Sequence, residues 1–129
     1  MIVVDAGALA LALVDDGPDG ERSRQRLAGE PLAAPELIDL EVVSVIRRLL
    51  ARDAMATRRA DQAVDDLVDL PMTRASHAPL VRRCLDLREN LTPYDAAYVA
   101  VAEALDVPLV TADPRLARAP GPRCTIEVI

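Results

Sequence analysis

The sequence predicts an α/β fold: one domain with a mostly parallel central sheet of four to five strands sandwiched by helices. Short apolar runs alternate along the chain with longer segments of helical pattern, which is typical of strands joined by helical crossovers. A length of 129 residues suits one domain with its own core. Neither a repeat nor a linker interrupts the pattern, so we expect residues 1–129 to form a single unit.

The first strand is the most clearly marked. Ile2-Val3-Val4 is a continuous run of β-branched residues, which indicates a strand buried on both faces of a parallel sheet. The other predicted strands are Leu32–Ala34, Pro71–Thr73 (the weakest), Val107–Thr111 and Thr125–Ile129, the last expected at an edge.

The clearest helix is predicted over Thr92–Leu105, where Thr92 is an expected N-cap and Pro93 occupies the favoured first position. By the same reasoning Pro35 is expected to open a helix that runs to about Arg52. The remaining predicted helices are Ala8–Val14, Glu21–Ala28, Thr57–Leu70 and a segment from Ser76 or His77 to Leu87, with a loop at residues 15–20.

Composition excludes several functions that use a similar scaffold. Every basic residue is an arginine, and we expect receiver domains and aspartyl-phosphate phosphatases to need a lysine. A P-loop and a Rossmann glycine motif are also absent. The net charge of −6 argues against a protein that holds nucleic acid by bulk electrostatics. Bound cations would neutralise part of this negative charge and so weaken that argument.

The two cysteines and the N-terminal segment bear on location. Cys84 and Cys124 lie far apart and form no CxxC motif, which argues against a zinc site or a disulfide framework. The apolar stretch at residues 2–14 is too short to span a bilayer and carries Asp5. We therefore expect a cytoplasmic protein with no membrane partner.

Four carboxylates carry the functional prediction. Asp5 and Asp113 come after predicted strands, Asp95 lies at a helix start, and Glu41 lies at the margin of the apolar stripe of its helix. Sites in parallel sheets form beyond the carboxyl ends of the strands. Oxygen ligands suit Mg²⁺ and Mn²⁺, and a pair of such ions stabilises both oxygens of an in-line displacement. The four acids together indicate metal-dependent phosphodiester cleavage.

Each acid also has a purely structural interpretation. Asp5 and Asp113 are good N-caps, and Asp95 stands three residues after Thr92, as in a capping box. The position of Glu41 is equally consistent with a solvated boundary residue, with Asp39 as a weaker rival ligand.

The same acids stand where the chain resembles a known family. It is similar to PIN-domain ribonucleases, specifically the VapC-type toxins of bacterial toxin–antitoxin pairs. The matching segments are Ile2–Asp5 with Ala8-Leu9, Ala34–Leu37 with Glu41-Val42, Leu91–Ala100, and Leu109–Leu116. Their order and spacing cover nearly the whole chain, and the block Tyr94–Ala100 is the most specific.

The resemblance implies an endoribonuclease that depends on Mg²⁺ or Mn²⁺, uses water as the nucleophile and cleaves RNA. Asp5, Glu41, Asp95 and Asp113 would be the catalytic, metal-binding acids. The family also implies a homodimer and inhibition by a cognate VapB-type antitoxin, whose C-terminal segment covers the acidic pocket, often with an arginine.

Other residues are assigned smaller roles. Thr111 is expected to orient Asp113, and Arg115 is the arginine we favour for an RNA phosphate. The helix arginines, Arg48 among them, either touch phosphates or solvate a helix face. Tyr94 and Tyr98 are one helical turn apart and are expected to pack rather than to stack on bases. The single histidine, His77, is expected at a helix start.

One departure from the family leaves an alternative open. The family usually carries Ser or Thr soon after the first Asp, whereas Ala6 and Gly7 come after Asp5 here. The chain could thus be an inactive module that binds antitoxin or RNA. Retention of all four acids favours the nuclease, and the compact length argues against a related enzyme for DNA or flap structures.

Overall fold

The computed structural model describes residues 1–129 and contains one five-stranded sheet in which every strand is parallel to its neighbours. The strands are β1 (Ile2–Val4), β2 (Leu32–Pro35), β3 (Met72–Ala75), β4 (Leu109–Thr111) and β5 (Ile126–Val128). Their order is β3-β2-β1-β4-β5, so β3 and β5 are the edges. This confirms the predicted parallel sheet and the edge position of the last strand.

Seven helices flank the sheet in two layers. They are α1 (Ala6–Val14), α2 (Pro18–Leu27), α3 (Ile38–Ala51), α4 (Thr57–Asp69), α5 (Val81–Asp86), α6 (Pro93–Leu105) and α7 (Pro114–Arg118). Helix α1 packs against α2, α3 and α4, whereas α6 packs against α5 and lies over β1, β2 and β4. None of the helices is both long and apolar enough to cross a bilayer.

The order of the strands creates a crevice at one place. The chain begins in the central β1, moves outward through β2 and β3, and returns to place β4 on the other side of β1. Val3 is paired with Leu109 and Val4 with Val110, so β1 and β4 end side by side. In open parallel sheets, ligands bind where the strand order reverses in this way. The fold thus predicts a site beyond Val4 and Thr111.

The core around these strand ends is aliphatic apart from one ring. Val3, Val4, Leu109 and Val110 are fully buried, as expected for central parallel strands. Tyr98 of α6 is the largest fully buried side chain. The rigidity of such a close-packed core holds the strand ends, and the side chains just beyond them, in fixed positions.

The prediction that Pro35 opens a helix was wrong. Pro35 is the last residue of β2, in register with Ala75, and α3 begins only at Ile38. Proline is tolerated here because β1 pairs with β2 only at Leu32 and Ala33, so the missing N–H costs no ladder bond on that side. The backbone N–H of Glu36 then bonds the carbonyl oxygen of Ala75 and ends the strand.

Three further helix boundaries differ from the predictions. Helix α1 starts at Ala6 rather than Ala8, directly after its N-cap Asp5. Helix α2 starts at Pro18 rather than Glu21, because Pro18 takes the first helical position that proline favours. The segment expected as one helix to Leu87 is a tight 3-10 turn at Ala78–Leu80 followed by the shorter α5. No bounds were predicted for the short α7, but its N-cap Asp113 agrees with the capping interpretation of that residue.

We predict that Leu109→Ala lowers the free energy of unfolding by about 2–5 kcal/mol, because it removes a fully buried side chain beside the site and leaves a cavity. Urea denaturation measures the change. The matched control is Leu40→Ala on α3, whose side chain is 76% exposed and whose loss should cost at most about 0.5 kcal/mol. An equal loss of unfolding free energy in the two variants would contradict the burial of Leu109.

Candidate active site

All four predicted acids line one open cleft of about 510 Å³ beyond the carboxyl ends of β1 and β4. They reach it from four different elements of the fold. The other residues that line the cleft are Ala6, Gly7, Ser44, Val45, Arg48, Ala112 and Arg115. The structure therefore brings together the acids that the sequence analysis singled out.

Asp5 is the most deeply placed acid, at 8% exposure. It caps α1, and its Oδ1 accepts a hydrogen bond of 2.7 Å from the backbone N–H of Ala8. Its Oδ2 accepts a hydrogen bond from the hydroxyl of Thr111. The capping role and the place in the cleft are compatible, because an N-cap at a strand end points its carboxylate beyond the sheet.

Thr111 connects two of the acids. Its buried hydroxyl donates to Asp5 and accepts a hydrogen bond of 2.9 Å from the backbone N–H of Asp113. From the sequence, Thr111 was predicted to orient Asp113 alone. The observed contacts tie the end of β4 to the end of β1 through a single side chain.

Glu41 enters the cleft from the first turns of α3. Its Oε2 accepts a hydrogen bond of 2.5 Å from the hydroxyl of Tyr98, which lies on α6. Asp95 lies one turn before Tyr98 on that helix, and its backbone N–H donates to the Thr92 hydroxyl, the expected N-cap. Helix α6 thus supplies one acid directly and contacts a second one.

Asp113 differs from the other acids because an arginine covers it. Its carboxylate accepts hydrogen bonds from the guanidinium of Arg115, at 2.9 Å to Nη2, and caps α7 through the backbone N–H of the same residue. The Arg115 side chain is 86% exposed and is anchored by nothing else. This ion pair can therefore open at little cost.

The sequence matches the PIN-domain family over residues 2–122. The chain belongs to the PIN-domain family. It is 43% identical over 129 residues to VapC ribonuclease Mb0985 of Mycobacterium bovis and to Ribonuclease VapC9 of Mycobacterium tuberculosis, with 100% of this chain and 98% of each relative covered. It is also 43% identical over 128 residues to Ribonuclease VapC1 of M. tuberculosis, covering 98% of this chain and 96% of the relative.

Solved structures agree on the fold. PAE2754 from Pyrobaculum aerophilum superposes with a TM-score of 0.69 at 23% identity, covering 98% of this chain and 83% of that one. M. tuberculosis VapC20, described as a toxin that cleaves the sarcin-ricin loop, gives a TM-score of 0.67 at 15% identity, covering 92% and 94%. These likenesses confirm the PIN fold, and the full-length identities place the chain among the VapC ribonucleases.

Burial and neighbouring charges shift the pKa values of three of the four acids in this PIN domain. Burial raises the pKa of Asp5 above its ordinary value, against the opposing effect of its hydrogen bonds, and the charge of Asp95 raises it further. Burial likewise raises the pKa of Glu41, and the charges of Asp95 and Asp5 add to the effect. Asp113 behaves oppositely, because its hydrogen bonds from Arg115 lower its pKa.

The donor set fits a hard divalent cation by its chemistry. Carboxylate oxygens are the ligands that Mg²⁺ and Mn²⁺ prefer. Burial chiefly, and neighbouring carboxylates in addition, raise the pKa of Asp5 and of Glu41, and a cation would favour the charged form of both. In this conformation no three acidic, histidine or cysteine side chains converge closely enough to hold one ion. Release of Asp113 from Arg115 would free a further carboxylate for that purpose.

Other candidates lie outside the cleft. Asp39, the rival ligand, forms a two-pronged ion pair with Arg74 at 2.8 and 3.0 Å. His77 accepts a hydrogen bond from the backbone N–H of Leu37 through its Nε2, which is a structural contact in a loop. Neither residue lines the site.

Ser44 and the contact of Tyr98 with Glu41 were not predicted, and Arg48 was predicted only as one of several helix arginines that could touch phosphates. Ser44 and Arg48 line the cleft because they come three and seven positions after Glu41 on α3, the spacing of one helix face. Tyr98 was interpreted only as a packing residue, but it also bonds Glu41. Helical spacing from the two acids could have indicated all three.

Gly7 stands in the region after Asp5 where the family usually carries a hydroxyl residue, and the space around it shows what would fit there. A Cβ built at Gly7 would lie 3.4 Å from Oδ1 of Asp5 and 3.5 Å from the Cβ of Ala112, which is ordinary contact. A small side chain would therefore fit at position 7, beside the first acid. Ser44 already brings a hydroxyl to this cleft from α3.

We predict that Asp5→Asn stabilises the metal-free protein near neutral pH. The folded state raises the pKa of Asp5, so it binds the proton more tightly than the unfolded chain does. The free energy of unfolding then falls as the pH rises from the ordinary value of 3.8 through the raised pKa, and Asn removes that loss.

Thermal unfolding of both proteins, in chelator and across about pH 4 to 8, measures this effect. The advantage of the variant should shrink toward acid pH. Asp65→Asn, at an exposed site on α4, is the control and should show no such dependence. A variant less stable than the parent at pH 7 would contradict the raised pKa of Asp5.

Proposed function

We propose that this chain is an endoribonuclease toxin that depends on Mg²⁺ or Mn²⁺, hydrolyses RNA phosphodiester bonds with water as the nucleophile, and is neutralised by a cognate antitoxin. The observation that carries the proposal is the meeting of Asp5, Glu41, Asp95 and Asp113 in one cleft, in a chain that belongs to the VapC ribonucleases. The cleft lies where a doubly wound sheet accepts its ligands.

The proposed metal-binding and catalytic residues are these four acids. When bound, divalent cations would neutralise the carboxylates, activate water and stabilise both the attacking and the leaving oxygens of an in-line displacement. Burial raises the pKa of Asp5 and of Glu41, and the charge of Asp95 adds to both effects. Thr111 holds Asp5 and the backbone of Asp113 in a fixed relation, so both strand ends present their carboxylates together.

The substrate assignment rests on the relatives and on two arginines. The curated relatives are named ribonucleases. Arg48 and Arg115 line the cleft, and Arg48 makes no ion pair within the chain. A net charge of −6 means that such local arginines, rather than the protein as a whole, must attract the phosphates that flank the scissile bond.

The alternative of an inactive binding module has less support. It rested on the missing hydroxyl after Asp5, but Ser44 supplies a hydroxyl to the same cleft. A module that only binds would also gain nothing from two buried or half-buried acids whose charges repel one another.

The proposed partners are those that the family implies. A VapB-type antitoxin would cover the acidic cleft. An arginine of the antitoxin would replace Arg115 as the ion-pair partner of Asp113. We also propose a homodimer, and we place the reaction in the cytoplasm with its RNA substrates. Light scattering of the chain alone measures the mass of the proposed homodimer. The same measurement with the product of an adjacent short reading frame tests for the complex with the antitoxin.

We predict that Asp5→Asn lowers the rate of RNA cleavage by at least about a hundredfold, because it removes a charge that acts on the transition state through the metal. Incubation with a pool of tRNA and rRNA, with Mn²⁺ or with chelator, measures the rate and maps the fragment ends. Cleavage should require the metal.

Asp65→Asn removes an equal charge from an exposed position outside the cleft and should cleave normally. Cleavage by Asp5→Asn at the parent rate would overturn the site assignment. Binding of Mn²⁺ by the parent without cleavage of any RNA would favour the inactive module.

We also predict that Arg115→Ala raises KM for RNA and reduces the salt dependence of binding by about one phosphate contact, because the lost arginine faces the backbone of the substrate. Steady-state kinetics at several salt concentrations test this. The matched control is Arg118→Ala, an exposed arginine on the same α7 that does not line the cleft. An unchanged KM would exclude the phosphate role.

A further inference from the structure

Tyr98 is a buried tyrosine whose hydroxyl has a specific partner. Only 2% of the residue is exposed, and its hydroxyl donates to Oε2 of Glu41 at 2.5 Å. Tyr98 does not line the cleft itself. We propose that Tyr98 is a positioning residue that fixes the carboxylate of Glu41 for metal binding, an inference that rests on the proposed function.

Glu41 lacks the backbone contacts that hold the carboxylates of Asp5 and Asp113. The Asp5 carboxylate is held by the N–H of Ala8 and by Thr111, and that of Asp113 by the N–H of Arg115. Glu41 lies within α3, and no backbone N–H donates a hydrogen bond to its carboxylate. A glutamate also has more rotatable bonds than an aspartate, so it loses more conformational entropy when it is fixed.

The hydroxyl of Tyr98 is the sole hydrogen-bond donor to the Glu41 carboxylate. It engages Oε2 and leaves the other oxygen for the cleft. Tyr98 therefore connects α6 to the acid on α3, and α6 itself presents Asp95 one turn before Tyr98.

Packing alone does not account for this arrangement. A phenylalanine would fill nearly the same space, and a buried hydroxyl is costly unless it is bonded. The bond is made to one of the four acids and to no ordinary structural group. Partners that orient metal ligands typically change metal affinity or activity by about 10–100-fold when they are removed.

The test is Tyr98→Phe, which removes the hydroxyl and keeps the ring. We expect the Kd for Mn²⁺, measured by the electron paramagnetic resonance signal of the free ion, to rise by about 10–100-fold. With RNA, kcat should fall at fixed Mn²⁺ while KM stays unchanged, because Tyr98 does not reach the cleft. The matched control is Tyr94→Phe on the same helix, 63% exposed, which should leave both values unchanged.

A double-mutant cycle with Glu41→Gln separates positioning from a general structural role. If Tyr98 acts through Glu41, adding Tyr98→Phe to Glu41→Gln should weaken Mn²⁺ binding no further. A Tyr98→Phe protein that binds Mn²⁺ like the parent overturns the inference, as does a loss that persists in the Glu41→Gln background or a variant that fails to fold. A parent that neither binds Mn²⁺ nor cleaves RNA would instead overturn the proposed function, and this inference with it.

Discussion

The site depends on one hydroxyl group. Thr111 donates to Asp5 and accepts from the backbone of Asp113, so the ends of β1 and β4 are joined at the point where the strand order reverses. The register of Val4 with Val110 places those ends side by side, and Thr111 then fixes the acids just beyond them. Because the strands below are fully buried, neither end can shift without disturbing the core. The two aspartates therefore share one rigid base.

The electrostatic environment of the cleft disfavours the charged form of two of its acids. Burial and neighbouring charge raise the pKa of both Asp5 and Glu41, whereas Asp113 is compensated by Arg115. The protein therefore retains an unfavourable interaction that the aliphatic core must offset, and such strain is common where function requires it. A cation or the guanidinium of a partner would relieve it. Under the proposed function, the same cleft would bind either a metal ion for catalysis or an arginine of an inhibitor, and electrostatics would decide between them.

The sequence predicted the parallel sheet and the four acids because both depend on local patterns: β-branched runs, and acids at strand or helix ends. It failed at Pro35, since proline suits either a helix start or a strand end, and only pairing with β3 decides between them. It also missed the contacts of Tyr98 with Glu41 and of Asp39 with Arg74. Those bonds join residues distant in sequence, so helix periodicity gives the face of each residue but not its partner.

The burial of Tyr98 has an optical consequence. The chain contains no tryptophan, so its near-ultraviolet emission comes from two tyrosines alone, one exposed at Tyr94 and one buried against a carboxylate. A phenol that donates to a carboxylate is quenched relative to a free one. The emission from Tyr98 therefore depends on whether its hydroxyl is bonded to Glu41, so tyrosine fluorescence reports on this acid of the cleft.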